Sequence, residues 1–127
     1  MEKKRYLIDL FDSIDVTEKG IEKVYNYLLL HKKIEDPKQI QKELEISSFQ
    51  RVYKILKELK DLDLVQTYGR PMKAVLNAPI ETWQKIISQK IQDIQYEASE
   101  RIKNCEEALD NMIQAYKLAK EEPDLPP

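Results

Sequence analysis

Polar side chains near the middle of the chain have the types and the spacing that bind nucleic acid. Gln50, Lys54 and Lys57 recur at the three- and four-residue intervals that place side chains on one face of a helix, and Arg51 lies on its flank. An amide and a guanidinium can form paired hydrogen bonds with base edges, whereas an ammonium group binds phosphate as a point charge. Gln50 and Arg51 are therefore candidates for reading bases, and the two lysines for phosphate contacts. The same pattern also suits an ordinary solvated helix face, so its meaning depends on the surrounding elements.

A helix over Ser47–Leu62 would position these side chains. Its other face is apolar at the i, i+3, i+4, i+7 spacing of one helical stripe, through Val52, Ile55, Leu56, Leu59 and Leu62. Ser47 is a suitable N-cap, and Gln50 three residues later can complete a capping box. We expect Ser47 and Ser48 to lie beside DNA at the start of this helix, which has an apolar back and a basic front.

The charge of the chain is divided between its two parts. The formal net charge is −2, but residues 1–79 contain 15 Lys and Arg against 13 Asp and Glu, whereas residues 80–127 contain 6 against 10. Within Ser47–Lys73, six basic residues face three acidic ones. A local basic surface matters more for phosphate contact than the charge of the whole chain. The small local excess predicts modest binding that depends strongly on salt.

Composition excludes several classes of protein. A chain of 127 residues with only two glycines indicates one helix-rich domain with an appendage. A single cysteine excludes an intrachain disulfide and a cysteine-based metal cage. No N-terminal run fits a signal peptide, and no apolar run approaches the ~20 residues of a membrane span, so we expect a soluble, cytoplasmic protein. Without a nucleophile–base pair, a glycine-rich phosphate loop or a metal cluster, we expect no enzyme, no cofactor and no metal.

Three helices are expected before the basic one, at about residues 1–12, 18–31 and 37–44. The first would turn Tyr6, Leu7, Leu10 and Phe11 to one side, and Thr17 would cap the second. Residues 32–35 would form a connector, and Asp36 followed by proline would start the third helix. A short helix, a tight turn and a longer helix with a basic face make a helix-turn-helix.

Two short strands are expected directly after the basic helix. Leu64–Tyr68 and Met72–Leu76 alternate apolar and polar residues around the turn Gly69-Arg70-Pro71. Such a hairpin is a wing, and it completes a winged helix-turn-helix domain over residues 1–79. Arg70, near the tip, could enter a minor groove, bind a phosphate or be a plain turn arginine, and Lys73 is a further candidate contact.

From residue 80 to about residue 120 the pattern is that of one long helix. Its apolar seam steps by three and four residues, with one extra four-residue step from Ala98 to Ile102, through Ile87, Ile91, Ile94, Ala98, Ile102, Cys105, Leu109, Met112 and Tyr116. A rod of about 60 Å cannot cover this seam on a small domain, so we expect a coiled-coil homodimer, parallel or antiparallel. Trp83 would anchor the start of the helix, and residues 121–127 would be a flexible tail. Cys105 is a small apolar seam residue or, in a parallel dimer, a redox switch.

The chain resembles the TrmB-like winged-helix regulators. The residues that carry the resemblance are Thr17-Glu18, Val24-Tyr25, Ile46-Ser47, Val52–Leu59, Leu64-Val65, Gly69-Arg70-Pro71, Lys73-Ala74 and Pro79-Ile80-Glu81. The resemblance implies a DNA-binding transcriptional regulator that dimerises. Asp63 stands where the family usually has a helix-ending glycine, which implies either backbone strain or a shifted helix cap. The sugar-responsive members carry a large C-terminal effector domain that this sequence does not match, so no effector ligand can be carried over, and the effector stays unknown.

Together these features predict a sequence-specific DNA-binding transcriptional regulator, by default a repressor, that acts as a homodimer on a palindromic operator. A second hypothesis is a winged-helix module for protein–protein interaction or assembly, or the N-terminal fragment of a larger regulator. A basic surface centred on Lys54 and Arg70 would favour DNA, and an apolar patch there would favour protein.

Overall fold

The computed structural model describes residues 5–121. In chain order its elements are α1 (Arg5–Ser13), α2 (Ile21–His31), β1 (Lys33–Ile34), α3 (Pro37–Glu43), α4 (Phe49–Asp61), β2 (Val65–Tyr68), β3 (Lys73–Leu76) and α5 (Pro79–Glu121). They fall into two compact units, Met1–Ser88 and Gln89–Pro127. The first turn of the predicted helix over residues 1–12 and the predicted tail after residue 121 lie outside the described residues.

One apolar core holds the first unit together. The back of α4 contributes its centre, because Val52, Ile55, Leu56 and Leu59 are fully buried there as their spacing predicts. They meet Val24 and Leu28 of α2 and residues of the sheet. Complete burial of an aliphatic side chain is worth about 1.5–3 kcal/mol, so this face fixes how α4 lies in the domain. The opposite face of α4 therefore remains in solvent.

The small sheet has three strands in the order β1-β3-β2, all antiparallel. In the wing, Val65 pairs with Leu76 and Tyr68 pairs with Lys73, which confirms the predicted hairpin. The strand β1 was expected to be part of a connector, and that expectation is wrong. Ile34 is buried and pairs with Ala74, but two residues are too few for alternation to be recognised in the sequence.

The starts of two helices differ from the expectation. Ser48, not Ser47, is the N-cap of α4: its backbone is extended, and its Oγ accepts a hydrogen bond from the Arg51 N–H at 3.2 Å. No capping box with Gln50 forms, because the residue three positions after Ser48 is Arg51. Thr17 does not cap α2, which begins at Ile21 after Gly20 in the left-handed region at φ +90°. Gly20 adopts this conformation without the cost that a Cβ would add, so the chain can turn there. The helix α2 therefore begins at Ile21 instead of directly after Thr17.

The amphipathic pattern of α1 is only partly realised. Leu7 and Phe11 are buried, whereas Tyr6 is 56% exposed and does not join the core. Tyr6 instead borders an open apolar depression together with Leu10 and Ile80. For a residue on the flank of the apolar stripe of a short helix, the spacing does not decide between burial and exposure.

The first turns of α5 belong to the first unit and are fixed by Trp83. Its side chain is 9% exposed, its Nε1 donates to the Tyr25 hydroxyl at 2.9 Å, and its ring meets Phe11 edge-on at 5.2 Å. The expected anchoring role of Trp83 is confirmed.

The described part of the second unit, residues 89–121, is the continuation of α5. Its apolar seam residues are exposed in the single chain, among them Ile91, Ile94, Ile102, Leu109 and Met112. None of the helices within residues 5–121 combines the length and the apolar character needed to cross a membrane.

Candidate nucleic-acid interface

The turn between α3 and α4 sets the position of the candidate interface. Asp36 caps α3 as predicted, since its Oδ1 accepts from the N–H groups of Lys38 at 3.1 Å and Gln39 at 3.4 Å. The Gln41 side chain donates to the carbonyl of Ile46 at 2.6 Å and closes the turn. The short helix, the turn and α4 therefore form the predicted helix-turn-helix, with both helix starts capped by side chains.

The front of α4 is a solvent-exposed, basic and polar surface. Gln50, Lys54 and Lys57 are exposed, and Lys60 continues the row towards the end of the helix. The Lys54 side chain is 70% exposed. Asp61 also lies exposed in the last turn, so positive charge predominates only in the first turns of the helix.

Arg51 is placed differently from a free surface arginine. Its Nη1 donates to Glu18 Oε1 at 3.0 Å, and its Nε donates to Ser47 Oγ at 3.2 Å. The same Glu18 carboxylate lies 3.6 Å from Lys54 Nζ through its other oxygen. Glu18 precedes α2 and is 33 positions away from Arg51, so no helical or strand spacing could indicate this ion pair. It is the main feature of the site that sequence reasoning missed.

Phe49 is a second feature that the sequence reasoning did not single out. It is the first residue of α4, 41% exposed, with its ring edge-on to Tyr53 at 6.1 Å and Lys38 Nζ 5.5 Å from its centroid. Phe49 stands three residues before Val52 and seven before Leu56, so helical spacing assigns it to the buried stripe, and the sequence carries no signal for its exposure. Tyr53 is half-buried.

The wing carries the remaining predicted contacts. Gly69 has φ +78°, and with the exposed Arg70 and Pro71 it forms the turn between β2 and β3. Lys73 begins β3 and is half-buried, opposite the exposed Tyr68. Arg70 is therefore the wing cation that is most accessible to a macromolecule.

The strand β1, on the other side of β3, presents a lysine that is already paired. Lys33 Nζ lies 2.8 Å from Glu35 Oε1. The hydrogen bond with Glu35 raises the pKa of Lys33, and the same hydrogen bond lowers the pKa of Glu35. Lys33 consequently adds less positive charge to this side of the sheet than Arg70 adds at the wing.

With one exception, the two groups of predicted site residues lie in different units. The residues of the predicted DNA contact set all lie in the first unit, on α4, on the turn before it or in the wing: Ser47, Ser48, Gln50, Arg51, Lys54, Lys57, Arg70 and Lys73. Of the predicted seam, only Ile87 lies in the first unit, where it packs partly against the core. The rest of the seam, including the exposed Cys105, lies on α5 in the second unit.

No protein-family model matches this chain, and no curated protein sequence matches it. Among solved structures, the chain is similar to TrmBL2, an archaeal chromatin protein whose structure is described as showing a novel mode of DNA binding. The TM-score is 0.73 at 18% sequence identity, and the match covers 98% of this chain and 45% of TrmBL2. The chain therefore spans less than half of that protein, and it shares the fold of a TrmB-like winged-helix protein.

Proposed function

We propose that this protein binds double-stranded DNA through the first turns of α4 and through the wing, and that it regulates transcription as a homodimer. The observation that carries the proposal is the exposed basic front of α4, with Lys54 and Lys57 on a helix whose back is fully buried. A capped second helix of a helix-turn-helix is the element that such domains place in a major groove. The fold similarity to a DNA-binding chromatin protein supports the same function.

The roles of the contacts follow from their chemistry. Gln50 can form two hydrogen bonds with an adenine edge, and Arg51 keeps three of the five N–H groups of its guanidinium after its bonds to Glu18 and Ser47. Lys54 and Lys57 contact phosphates, and Arg70 extends the contact from the wing. Phosphate contacts position the protein, whereas base contacts give sequence specificity.

The proposal of a homodimer is based on the exposed apolar seam of α5. Ile102, Leu109 and Met112 are each more than half exposed in the single chain. A continuous apolar stripe of this length on a monomer would be an association or aggregation site, and pairing with a second copy through the heptad seam covers it. Two-fold symmetric pairing would present two copies of α4 to DNA, so the operator is palindromic. The homodimer acts as a repressor by occupying a promoter.

The surface chemistry favours DNA over a protein partner for α4. Phe49 is the only large hydrophobic side chain of α4 that is exposed, and its ring lies near the Tyr53 ring and the Lys38 ammonium group. A protein-binding face would instead carry a contiguous apolar patch.

The test is a fluorescence-anisotropy titration of the purified chain against DNA selected from a randomised duplex library and against a random-sequence duplex, at about 50 and 200 mM salt. We expect selection to enrich a palindromic site that binds more tightly than the random duplex. The double variant Lys54→Gln with Lys57→Gln should lose binding to both duplexes. Its control, Lys103→Gln with Lys117→Gln on α5, changes the total charge equally and should bind like the wild type. Absence of binding to any duplex at low salt would refute the proposal.

A further inference from the structure

The carboxylate of Glu18 lies between two cations of the candidate interface. One oxygen accepts a hydrogen bond from Arg51 Nη1 at 3.0 Å, and the other lies 3.6 Å from Lys54 Nζ. The Glu18 side chain is only 15% exposed, whereas that of Arg51 is 36% exposed and that of Lys54 is 70% exposed. The acid is therefore held beneath the surface while the cations reach towards solvent.

An arginine and a lysine three residues apart on an exposed helix face are a suitable pair for binding a phosphate oxygen. In this protein the Glu18 carboxylate already occupies the anion position between them. The three side chains together present a charge of +1 to DNA, instead of the +2 that Arg51 and Lys54 would present alone. The attraction of the first turns of α4 to any phosphate backbone is reduced accordingly.

We propose that Glu18 is a specificity-determining residue, which rests on the proposed DNA-binding function. It weakens the sequence-independent attraction of Arg51 and Lys54 to phosphates and holds the Arg51 guanidinium in place beside Ser47. The hydrogen bonds of Gln50 and Arg51 with bases depend less on the positive charge that Glu18 cancels than phosphate contacts do. The ratio of specific to non-specific affinity therefore rises because of Glu18, although the absolute affinity falls.

The variant Glu18→Gln tests this inference, because it keeps the shape of the side chain and removes only its charge. We expect it to bind a random-sequence duplex several-fold more tightly than the wild type at about 50 mM salt. Since about one additional phosphate contact steepens the slope of log affinity against log salt by about 0.9, the gain should shrink about threefold between 50 and 200 mM salt. The preference for the selected site over the random duplex should decrease.

Thermal unfolding separates this role from a structural one. Glu18→Gln removes two ion pairs from a mostly buried carboxylate, so the melting temperature should fall while the affinity for DNA rises. A residue that only supports the fold would lower both quantities when substituted. Circular dichroism confirms that the variant retains its helices.

Two control variants isolate the local effect. Glu100→Gln, on the exposed surface of α5, makes the same change in total charge and should leave DNA affinity unchanged. In a background with Arg51→Gln and Lys54→Gln, the additional Glu18→Gln change should give no gain beyond that of Glu100→Gln, because no cation remains to be released.

The outcomes distinguish the two proposals. If the wild type binds DNA and Glu18→Gln binds the random duplex no more tightly, the role of Glu18 is refuted and the DNA-binding function stands. If neither protein binds any duplex at low salt, both are refuted.

Discussion

The indole N–H of Trp83 donates to the hydroxyl of Tyr25 at 2.9 Å, and this hydrogen bond joins the first turns of α5 to α2. Phe11 of α1 completes the cluster, with ring centroids 5.2 Å from Trp83 and 5.7 Å from Tyr25, both edge-on. Edge-to-face aromatic pairs each add about 0.5–1.5 kcal/mol beyond the area that they bury. The start of α5 is thus an integral part of the first unit.

Replacing Trp83 with phenylalanine should destabilise the protein by about 2 kcal/mol, since it removes a buried hydrogen bond and part of a large side chain. Urea denaturation followed by circular dichroism measures the change. Tyr96→Phe on the exposed surface of α5 is the control and should be nearly neutral. Equal stability of the two variants would show that the cluster does not stabilise the fold.

Tyr25 should make the stability of the protein sensitive to alkaline pH. Burial raises the pKa of Tyr25 above its ordinary value of 10.0, against a smaller lowering by the hydrogen bond from Trp83. Because the folded-state pKa is the higher one, the unfolded chain releases the proton first. The contribution of Tyr25 to stability is complete below about pH 10 and is lost as the pH rises through the folded-state pKa.

Tyr25→Phe should lower the free energy of unfolding by about 1 kcal/mol at pH 8, because it leaves the Trp83 N–H without its partner. The difference between wild type and variant should narrow as the pH increases from 9.5 to 11. Denaturation curves at several pH values measure this, and lysine deprotonation affects both proteins alike. A difference that stays constant over this range would contradict the assignment.

The sequence predicted best those elements in which regularly spaced apolar residues form a buried face. The stripe through Val52, Ile55 and Leu59 predicted both the existence of α4 and which side of it faces solvent, and the turn at Gly69 predicted the wing. Contacts between segments distant in sequence were not predictable. Glu18 reaches Arg51 across 33 positions, and β1 is recognisable only through its pairing with β3. In both cases the tertiary fold, and not a local pattern, creates the partner.

The two proposed kinds of DNA contact on α4, with phosphates and with bases, should have different effects in binding measurements. Lys57→Gln should weaken binding to every duplex and reduce the salt slope by about 0.9, because it removes one phosphate contact. Gln50→Ala should weaken binding to the selected site by about 1–3 kcal/mol and leave binding to a random duplex nearly unchanged, because it removes a base contact. Uniform loss in both variants would show that Gln50 does not read sequence.

Charge in the seam of α5 should dissociate the proposed homodimer. Ile102→Asp with Leu109→Asp places carboxylates where the apolar seam would be buried, so sedimentation at tens of micromolar should show a monomer with reduced affinity for the palindromic site. The matched control, Asn104→Asp with Gln114→Asp, adds the same charge outside the seam and should remain a dimer. A wild type that sediments as a monomer would refute the pairing.

Asp63 offers a way to stabilise the protein. Its φ of +62° lies in the left-handed region that favours glycine, directly after α4 and its cap Leu62. A residue with a Cβ is strained there, whereas the contact from Asn77 Nδ2 is made to the backbone carbonyl of Asp63 at 2.8 Å and survives substitution. Asp63→Gly should therefore stabilise the protein by about 0.5–1 kcal/mol, although glycine also increases the entropy of the unfolded chain. Glu58→Gly, within α4, also removes a carboxylate but should instead destabilise the protein by about 1 kcal/mol, because glycine is unfavourable inside a helix. Opposite shifts of the two melting temperatures would establish that the backbone conformation, and not the loss of a carboxylate, determines the effect, and a lower melting temperature for Asp63→Gly would contradict it.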